Sequence, residues 1–270
     1  MIKTYRIHDL MRDLCLSEGK AMNFLDIHNQ QQHCTGGVTS TNAKKLRRYA
    51  VHPKSEAISR YEIHCNQKFR IENLINLQTF GCIKAGSWVR KGCFDKLSNL
   101  RKLSVCSTSR LQTDIILEEV VGKRSSISSS SDDQYQSPIR KLGISSIEKL
   151  PNLIFDSLSC CHSLHTLTLG GRLDVINLQK YPQNLSKLHL SGSMLEEDPM
   201  TTVQYLPNLK GFKLATRIRR KLSMLPEGLR FIISLEQLNI LGMPLVKDRI
   251  VKGVGEDWYK VQHVPSITAQ

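Results

Sequence analysis

The sequence lacks the motifs of several large functional classes. It contains no run of 18 apolar residues and no apolar signal core at its start, so we expect no membrane span, no secretion and a cytoplasmic location. No H-E-x-x-H, G-x-S-x-G or G-x-x-x-x-G-K-[ST] pattern occurs, which removes the usual signatures of zinc proteases, serine hydrolases and P-loop proteins. We therefore predict that the chain is not an enzyme, has no cofactor and takes no small-molecule substrate.

Cysteine pairs and aromatic residues are also scarce. The eight cysteines include no C-x-x-C pair, which argues against a disulfide framework and favours a reducing compartment. His28, His33 and Cys34 are too few for a metal site, so none is predicted. Only two Trp are present, and the basic residues behind the net charge of +14 are spread along the chain. A nucleic-acid interface is therefore not expected, although it stays an alternative that the charge permits.

What the chain does contain is a repeated apolar pattern. Seven frames place an apolar residue, two variable residues, an apolar residue, one variable residue and an apolar residue. The chain is 40% apolar, yet all 21 frame positions are apolar, and successive frames start 23, 39, 25, 21, 24 and 26 residues apart. Apart from the 39, these periods are typical of leucine-rich repeats. The frames are Leu77-Phe80-Cys82, Leu100-Leu103-Val105, Ile139-Leu142-Ile144, Leu164-Leu167-Leu169, Leu185-Leu188-Leu190, Leu209-Phe212-Leu214 and Leu235-Leu238-Ile240.

This pattern predicts the fold class. The last two residues of each frame are two apart and point to one face of a strand, so parallel strands from successive repeats bury an apolar ladder. We predict an α/β leucine-rich-repeat solenoid with a parallel β-sheet on the concave face, irregular convex segments and a short N-terminal helix. The Asn or Cys that many such repeats carry three residues after the frame is absent, which predicts irregular curvature.

The sequence predicts an N-terminal unit, a linker and a repeat domain. Residues 8–27 have helical apolar spacing and form part of a first unit, 1–27, which is followed by a polar linker, 28–45. The repeat domain then covers 46–270, with a short strand at 48–52 as its N-terminal edge and with 242–270 capping its open end. The Ser-rich stretch 123–137 explains the long spacing of 39 and is predicted to be a disordered insertion.

Residues that point away from the ladder are the candidate binding residues. Four lysines at these outward positions predict a basic concave stripe that suits an acidic protein partner. The alternative is that exposed lysines only keep the sheet soluble and prevent edge pairing. The candidates are Lys102, Ser104, Lys141, Thr166, Thr168, Lys187, His189 and Lys213.

Three segments resemble one family. RIHDLMRDL at 6–14 resembles the MHD segment of plant nucleotide-binding leucine-rich-repeat (NB-ARC LRR) disease resistance proteins, and LRRYAVH at 46–52 resembles the start of their repeats. LPEGLRFIISLEQLNILGMP at 225–244 and GEDWYKVQHVPSI at 255–267 resemble the C-terminus of the coiled-coil class of that family. The resemblance covers nearly the whole chain and places the three segments in the family's order.

The resemblance implies a role in defence. In the family, the MHD His and Asp close a winged-helix domain on bound nucleotide, so His8 and Asp9 stand at the nucleotide-sensor positions. Because this chain has no P-loop, we expect both residues to be vestigial and the chain to be a truncated member that binds proteins, such as a pathogen effector or a guarded host protein. The alternatives are a stand-alone leucine-rich-repeat adaptor and the nucleic-acid binder above.

Overall fold

A ten-stranded parallel sheet organises the protein. The computed structural model describes residues 71–122, 139–150, 154, 158, 161–173, 182–192, 206–215, 224–225 and 227–269, and the backbone of 25–28 and 48–51. The strands follow one another across the sheet in chain order. They are β1 (Leu25–His28), β2 (Arg48–Val51), β3 (Thr79–Lys84), β4 (Lys102–Thr108), β5 (Lys141–Lys149), β6 (Thr166–Arg172), β7 (Lys187–Ser191), β8 (Gly211–Ala215), β9 (Gln237–Leu241) and β10 (Ser266–Ala269). The predicted open α/β solenoid with its parallel sheet is confirmed.

The predicted apolar ladder is the core of the solenoid. All frame residues whose side chains the structure describes are buried, and none is more than 4% exposed. Strand pairing sets equivalent frame residues side by side, as in the series Leu142, Leu167 and Leu188. Burying a leucine side chain stabilises a protein by roughly 1.5–3 kcal/mol, so the ladder is the main source of stability. Its repetition makes each strand depend on its two neighbours.

The first repeat departs from the predicted frame. Phe80 pairs with Leu103, but Val105 pairs with Ile83 rather than with Cys82, because the register shifts between β3 and β4. Ile83 is 1% exposed and takes the third ladder position. Ile83 and not Cys82 therefore pairs with Val105, since a β-bulge adds one residue that a constant frame does not anticipate.

A ladder of polar side chains joins successive turns. The amide of Asn184 donates to the carbonyl oxygen of His162 at 2.8 Å, and that of Asn208 donates to the carbonyl oxygen of Gln183 at 3.0 Å. Ser234 Oγ donates to the carbonyl oxygen of Leu209 at 2.9 Å. Each of these residues directly precedes a frame, and the frames at 77, 100 and 164 are preceded by Asn76, Asn99 and Ser163. At these three frames, a turn carbonyl is thus satisfied from the position before the frame instead of from three residues after it.

The segments on the other side of the core contain short helices. Among the described residues, the longest is α1 (Arg110–Leu117), which runs on into a π-helical turn at Glu118–Gly122. Ser109 Oγ accepts from the backbone N–H of Gln112, and the Gln112 side chain accepts in return from the N–H of Ser109, which makes a capping box. Further helical elements are the 3₁₀ turns Ile71–Asn73 and Glu227–Phe231 and the helices α2 (Pro244–Arg249) and α3 (Trp258–Val261).

The N-terminal predictions need correction where they can be compared. The helix expected over 8–27 does not reach residue 27, because 25–28 is strand β1, and the linker expected from residue 28 starts inside that strand. Leu25 and Ile27 are two residues apart, a spacing compatible with a strand, and pairing with β2 decides the conformation. The strand at 48–51 is confirmed, but it is not the edge, since β1 lies outside it. Residues 1–24, 29–47 and the insertion 123–137 lie outside the described residues.

The C-terminal segment closes the solenoid as predicted. Val246, Ile250, Val261 and Val264 are buried in the core, and Trp258 packs against it. The segment also contributes β10, which pairs with β9 and was not predicted. A Cβ on Gly255 would lie 2.1 Å from the carbonyl oxygen of Arg249, so this position requires glycine. The cap covers apolar residues of the last repeat that would otherwise meet water.

Candidate functional site: the concave face

Strand register arranges the outward residues in rows on the concave face, which is the face of the sheet opposite the core. From β3 to β10, each strand pairs with the next. This pairing aligns one row of residues at the start of the strands and a second row two residues later. The first row contains Thr79, Lys102, Lys141, Thr166, Lys187, Gly211, Gln237 and Ser266. The second, from β4 to β10, contains Ser104, Gly143, Thr168, His189, Lys213, Asn239 and Thr268.

Three of the four predicted lysines share the first row. Lys102 and Lys141 lie on adjacent strands, which are separated by about 4.8 Å, and Lys187 follows two strands later, beyond Thr166. All three lysines are exposed. Lys213 is half-buried and lies in the second row beside His189, so the four ammonium groups do not form the single stripe that was expected. The difference in row is visible in the sequence. Lys213 follows the middle residue of its frame, whereas the other three lysines precede the middle residue of theirs.

Sequence reasoning missed the basic residues that directly precede these strands. Arg101 and Arg140 are exposed, and the N–H of Arg140 donates to the carbonyl oxygen of Arg101 at 2.8 Å, so adjacent turns bring them together. Lys210 takes the corresponding place before β8 and pairs with Glu236 at 2.9 Å. Of the carboxylates that the structure describes, none forms an ion pair with Lys102, Lys141 or Lys187. Within the described part of the chain, these lysines of the concave face are thus exposed and not engaged in ion pairs.

The floor of the concave face beside these lysines is built from small residues. A Cβ on Gly143 would lie 2.9 Å from Ser104 Oγ, and one on Gly170 would lie 2.6 Å from Ser145 Oγ. The predicted residues Ser104, Thr168 and Thr166 are all half-buried between the longer side chains. The floor thus presents short hydroxyl-bearing side chains next to the long side chains that carry ammonium and guanidinium groups.

His189 lies in the second row, and its surroundings alter its titration. It is half-buried, and its Nε2 atom is buried without a hydrogen-bond partner among the described residues. Burial lowers the pKa of His189, and the charge of Lys213 in the same row lowers it further. The imidazole is therefore neutral near pH 7 and can accept or donate one hydrogen bond.

A second charged cluster, in the C-terminal cap, has a different character. Asp257 is 1% exposed and accepts from Arg249 Nε, from the N–H of Leu225 and from Lys260 Nζ, at 2.8, 2.8 and 2.9 Å. Lys260, which is 3% exposed, also donates to the carbonyl oxygen of Leu225 at 2.6 Å. Burial would raise the pKa of Asp257, but these hydrogen bonds and the charge of Lys260 bring it below its ordinary value. The charged groups of Asp257, Arg249 and Lys260 are thus paired with one another. Hydrogen bonds from this cluster to the backbone of Leu225 connect that residue to the cap.

The remaining predicted features can be placed only in part. His8 and Asp9, the sensor positions implied by the family resemblance, lie outside the described residues. Within the described part of the chain, no group of three or more His, Cys, Asp or Glu side chains could hold a metal ion. No helix of that part is long and apolar enough to cross a membrane. Chemically, the concave face offers cationic donors and hydroxyl groups, a set suited to noncovalent binding of carboxylates.

Comparison with known proteins identifies a group of relatives. The chain is 28% identical over 157 residues to the disease resistance protein RPP8 of Arabidopsis thaliana, a match that covers 39% of this chain and 17% of that protein. It is 38% identical over 122 residues to the probable disease resistance protein At1g59620 and 34% identical over 145 residues to the disease resistance protein RPH8A, both from the same plant. These matches cover 45% and 50% of this chain.

The chain corresponds to a limited part of these relatives, since the matches cover only 13% to 17% of their length. No protein-family model matches the chain. The relatives nevertheless confirm the resemblance to plant disease resistance proteins that three sequence segments indicated, and the parallel solenoid agrees with it.

Proposed function

We propose that the chain is a leucine-rich-repeat protein-interaction module that acts in plant defence and binds an acidic protein surface through its concave face. The observation that carries the proposal is the exposed basic edge formed by Lys102, Lys141 and Lys187, to which Arg101 and Arg140 add. None of these side chains supports the fold through a described ion pair, so their charge is available to a partner.

The rows explain how such a face would select its partner. Like charges held about 4.8 Å apart on neighbouring strands produce a positive potential that a single isolated lysine does not. A carboxylate that approaches this edge gains attraction from several ammonium groups at once, while the hydroxyl-bearing floor can donate hydrogen bonds. The partner class that fits is an acidic protein segment, such as an effector or a guarded host protein, met in the cytoplasm.

The proposal includes the absence of a nucleotide switch in this chain. His8 and Asp9 would need a phosphate cradle that the sequence does not supply, since no G-x-x-x-x-G-K-[ST] loop occurs. We expect isothermal titration of the purified chain with ADP and with ATP to give no binding. Micromolar affinity for either nucleotide would contradict this part of the proposal.

The experiment that tests the binding face compares two charge-matched double variants. Lys141→Glu with Lys187→Glu reverses the concave edge, whereas Lys247→Glu with Lys252→Glu reverses two exposed lysines of the cap by the same total charge. Each variant is used to recover a partner captured by the unmodified chain, and circular dichroism confirms the fold. We expect the concave variant to bind about tenfold more weakly, equivalent to about 1.4 kcal/mol, and the cap variant to bind normally.

Equal weakening by both double variants would show that net charge alone matters and would overturn the assignment to the concave face. Recovery of nucleic acid instead of protein by the unmodified chain, with a steep loss of affinity as salt rises, would favour the alternative of a nucleic-acid binder. Undiminished binding by both variants would leave the lysines as ordinary solvated surface.

A further inference from the structure

One polar atom on the concave face is left without a partner. His189 lies in the second row, and its Nε2 atom is buried with no hydrogen-bond partner among the described residues. Buried polar atoms are ordinarily paired, because a group that loses its water and gains no other partner destabilises the fold. On a face that is open to another molecule, such an atom points to a hydrogen bond that forms on binding.

The groups around His189 define which ligand fits it. Lys213 lies beside it on β8, and the positive charge of that lysine acts on the imidazole. Thr168 lies beside it on β6, and Lys187 stands two residues before it on β7. The stem of Lys187 leans towards β8, since a Cβ on Gly211 would lie 3.4 Å from Lys187 Cγ. None of the three strands carries an acidic residue, so the surroundings of His189 on β6, β7 and β8 favour an anion.

We propose that His189 and Lys213 bind a side-chain carboxylate of the protein partner between them, and that this carboxylate binds together with one proton. The inference rests on the proposed function and deepens it, because it adds a contact in the second row to the first-row lysines. One carboxylate oxygen accepts from the ammonium of Lys213, and the other accepts from the Nε2–H of His189. A cation would be repelled by Lys213, and a neutral hydroxyl would leave that ammonium without a counter-charge.

The proton follows from the electrostatics of the two states. In the free chain, burial and the charge of Lys213 lower the pKa of His189, so the imidazole is neutral near pH 7. A carboxylate beside the ring favours the charged form and raises the pKa. Between the two pKa values, the imidazole takes up a proton from water when the partner binds, and no covalent bond forms. Affinity should therefore increase as the pH falls, by up to about tenfold per pH unit for one proton.

Rotation of the imidazole gives the carboxylate access to Nε2. The side chain of His189 is half-buried, so parts of it meet solvent although Nε2 does not. The torsion about the Cβ–Cγ bond of histidine is broad and two-fold, so a turn about this bond exchanges the covered edge of the ring for the other edge. The gain of a charged hydrogen bond and the pairing of a buried atom both favour the rotated ring in the complex.

The test uses a fluorescein-labelled oligoglutamate peptide whose C-terminus is amidated, so that only side-chain carboxylates can bind. Fluorescence anisotropy measures its affinity for the complete chain at about pH 8 and about pH 6, where glutamate, with a pKa of about 4.3, stays largely ionised. An oligoglutamine peptide of the same length is the uncharged control and should not bind. We expect oligoglutamate to bind at least about fivefold more tightly at the lower pH.

Three variants assign this gain to residues. His189→Gln keeps a hydrogen-bonding side chain that cannot titrate, so it should match the unmodified chain at the higher pH and lose the gain at the lower one. Lys213→Gln should weaken binding at both pH values, because the ammonium is lost. The matched control is His165→Gln, which removes an exposed histidine directly before β6 and should keep most of the gain. Circular dichroism confirms that each variant is folded.

An NMR titration of the His189 imidazole in the unmodified chain gives a readout that a structural role alone would not move. We expect its pKa to lie below 6.5 in the free chain and to rise when oligoglutamate is added. A pKa that oligoglutamate leaves unchanged would show that no carboxylate reaches the ring, whatever the affinities of the variants.

The outcomes separate this inference from the proposed function. Equal affinity for oligoglutamate at both pH values, or an undiminished gain in His189→Gln, overturns the carboxylate site and leaves the proposed function standing. A loss of the gain in His165→Gln as large as in His189→Gln also overturns the site alone. Displacement of the peptide by inorganic phosphate, at concentrations where glutarate has no effect, assigns the site to phosphate and contradicts the proposal. No binding of oligoglutamate at either pH overturns both proposals.

Discussion

The C-terminal cap and the concave face use lysine in opposite ways. Lys260 in the cap is 3% exposed and is held by Asp257 Oδ1 at 2.9 Å and by the carbonyl oxygen of Leu225 at 2.6 Å. Lys141 on the concave face is exposed and pairs with no described carboxylate. The two residues contribute equally to the net charge of +14, yet only one of them is available to another molecule.

The comparison shows that a count of charges does not locate a binding surface. A buried and fully paired charge fixes one arrangement of the chain, since removing its partner leaves it uncompensated in a poorly solvated place. An exposed and unpaired charge adds almost nothing to stability and is retained or lost without consequence for the fold. Variants of the two regions should therefore separate effects on stability from effects on binding.

Removal of the carboxylate at the centre of the cap should have the largest effect. Asp257→Asn leaves Arg249 and Lys260 without their anion, and we expect a loss of about 3–5 kcal/mol in the free energy of unfolding, measured by urea denaturation. Glu236→Gln, which breaks the exposed pair with Lys210, is the control and should cost less than about 1 kcal/mol. Similar losses in both variants would contradict the special role of the buried cluster.

The same carboxylate predicts a dependence on pH. The pKa of Asp257 is lowered in the folded protein, so its contribution is complete above the unfolded value of about 3.9 and is lost as pH falls through the folded value. The stability of the unmodified chain should therefore fall towards that of Asp257→Asn in acid, with a narrowing gap below about pH 4. A gap that stays constant down to pH 2 would contradict this assignment.

The apolar ladder should give a loss of similar or slightly smaller size. Leu167→Ala and Leu188→Ala each leave a cavity in a region that is at most 1% exposed, and we expect each to cost about 2–5 kcal/mol in thermal or chemical unfolding. Ile233→Ala, at an 89% exposed position, is the control and should change stability by less than about 0.5 kcal/mol. An unchanged melting temperature for both leucine variants would contradict the buried ladder.

The polar ladder between turns should contribute less. Asn208→Ala removes the donor to the carbonyl oxygen of Gln183, and Asn184→Ala removes the donor to that of His162. Each bond is partly exposed to water, so we expect a loss of about 1 kcal/mol per variant in chemical unfolding. A loss above about 3 kcal/mol, or none in either variant, would show that these amides do not act as repeated single hydrogen bonds.

The concave lysines should have the smallest effect on stability. Lys141→Glu with Lys187→Glu should change the free energy of unfolding by less than about 0.5 kcal/mol, because neither side chain makes a described ion pair. The same chemical denaturation experiment measures it. A loss as large as that of Asp257→Asn would mean that the basic edge supports the fold, and the distinction between the two regions would fail.

Much of the fold follows from the sequence because its signal is repeated. The frame residues Leu142, Leu167 and Leu188 lie side by side as predicted, since strands of one register bury one ladder. The first frame fails because a bulge depends on pairing with β4, which local spacing at Cys82 does not reveal. The strand at Leu25–His28 also depends on pairing, in this case with β2. Four residues are too few to distinguish the periodicity of a helix from that of a strand, so the sequence alone did not indicate it.

The candidate site was predictable in outline and not in detail. Alternation around the frames identified Lys102, Lys141 and Lys187 as outward residues, which strand geometry requires. Arg101 and Arg140 were missed because they precede the strands and meet only through the turns. The pairing of Lys260 with Asp257 is local in sequence, but its burial depends also on the backbone carbonyl of Leu225, which is 35 residues away and which the sequence does not indicate. The Asn or Ser that precedes six of the seven frames is visible in the sequence itself, whereas Pro138 precedes the frame at Ile139.

Lysine reactivity tests the central claim most directly. Acetylation of each lysine is measured by mass spectrometry in the free chain and in its complex with a captured partner. We predict that Lys260 is unreactive in both states, that Lys247 and Lys252 react in both, and that Lys102, Lys141 and Lys187 react in the free chain and are protected in the complex. Protection of Lys247 and Lys252 with continued reaction of Lys141 and Lys187 would contradict the claim that the concave face is the binding surface.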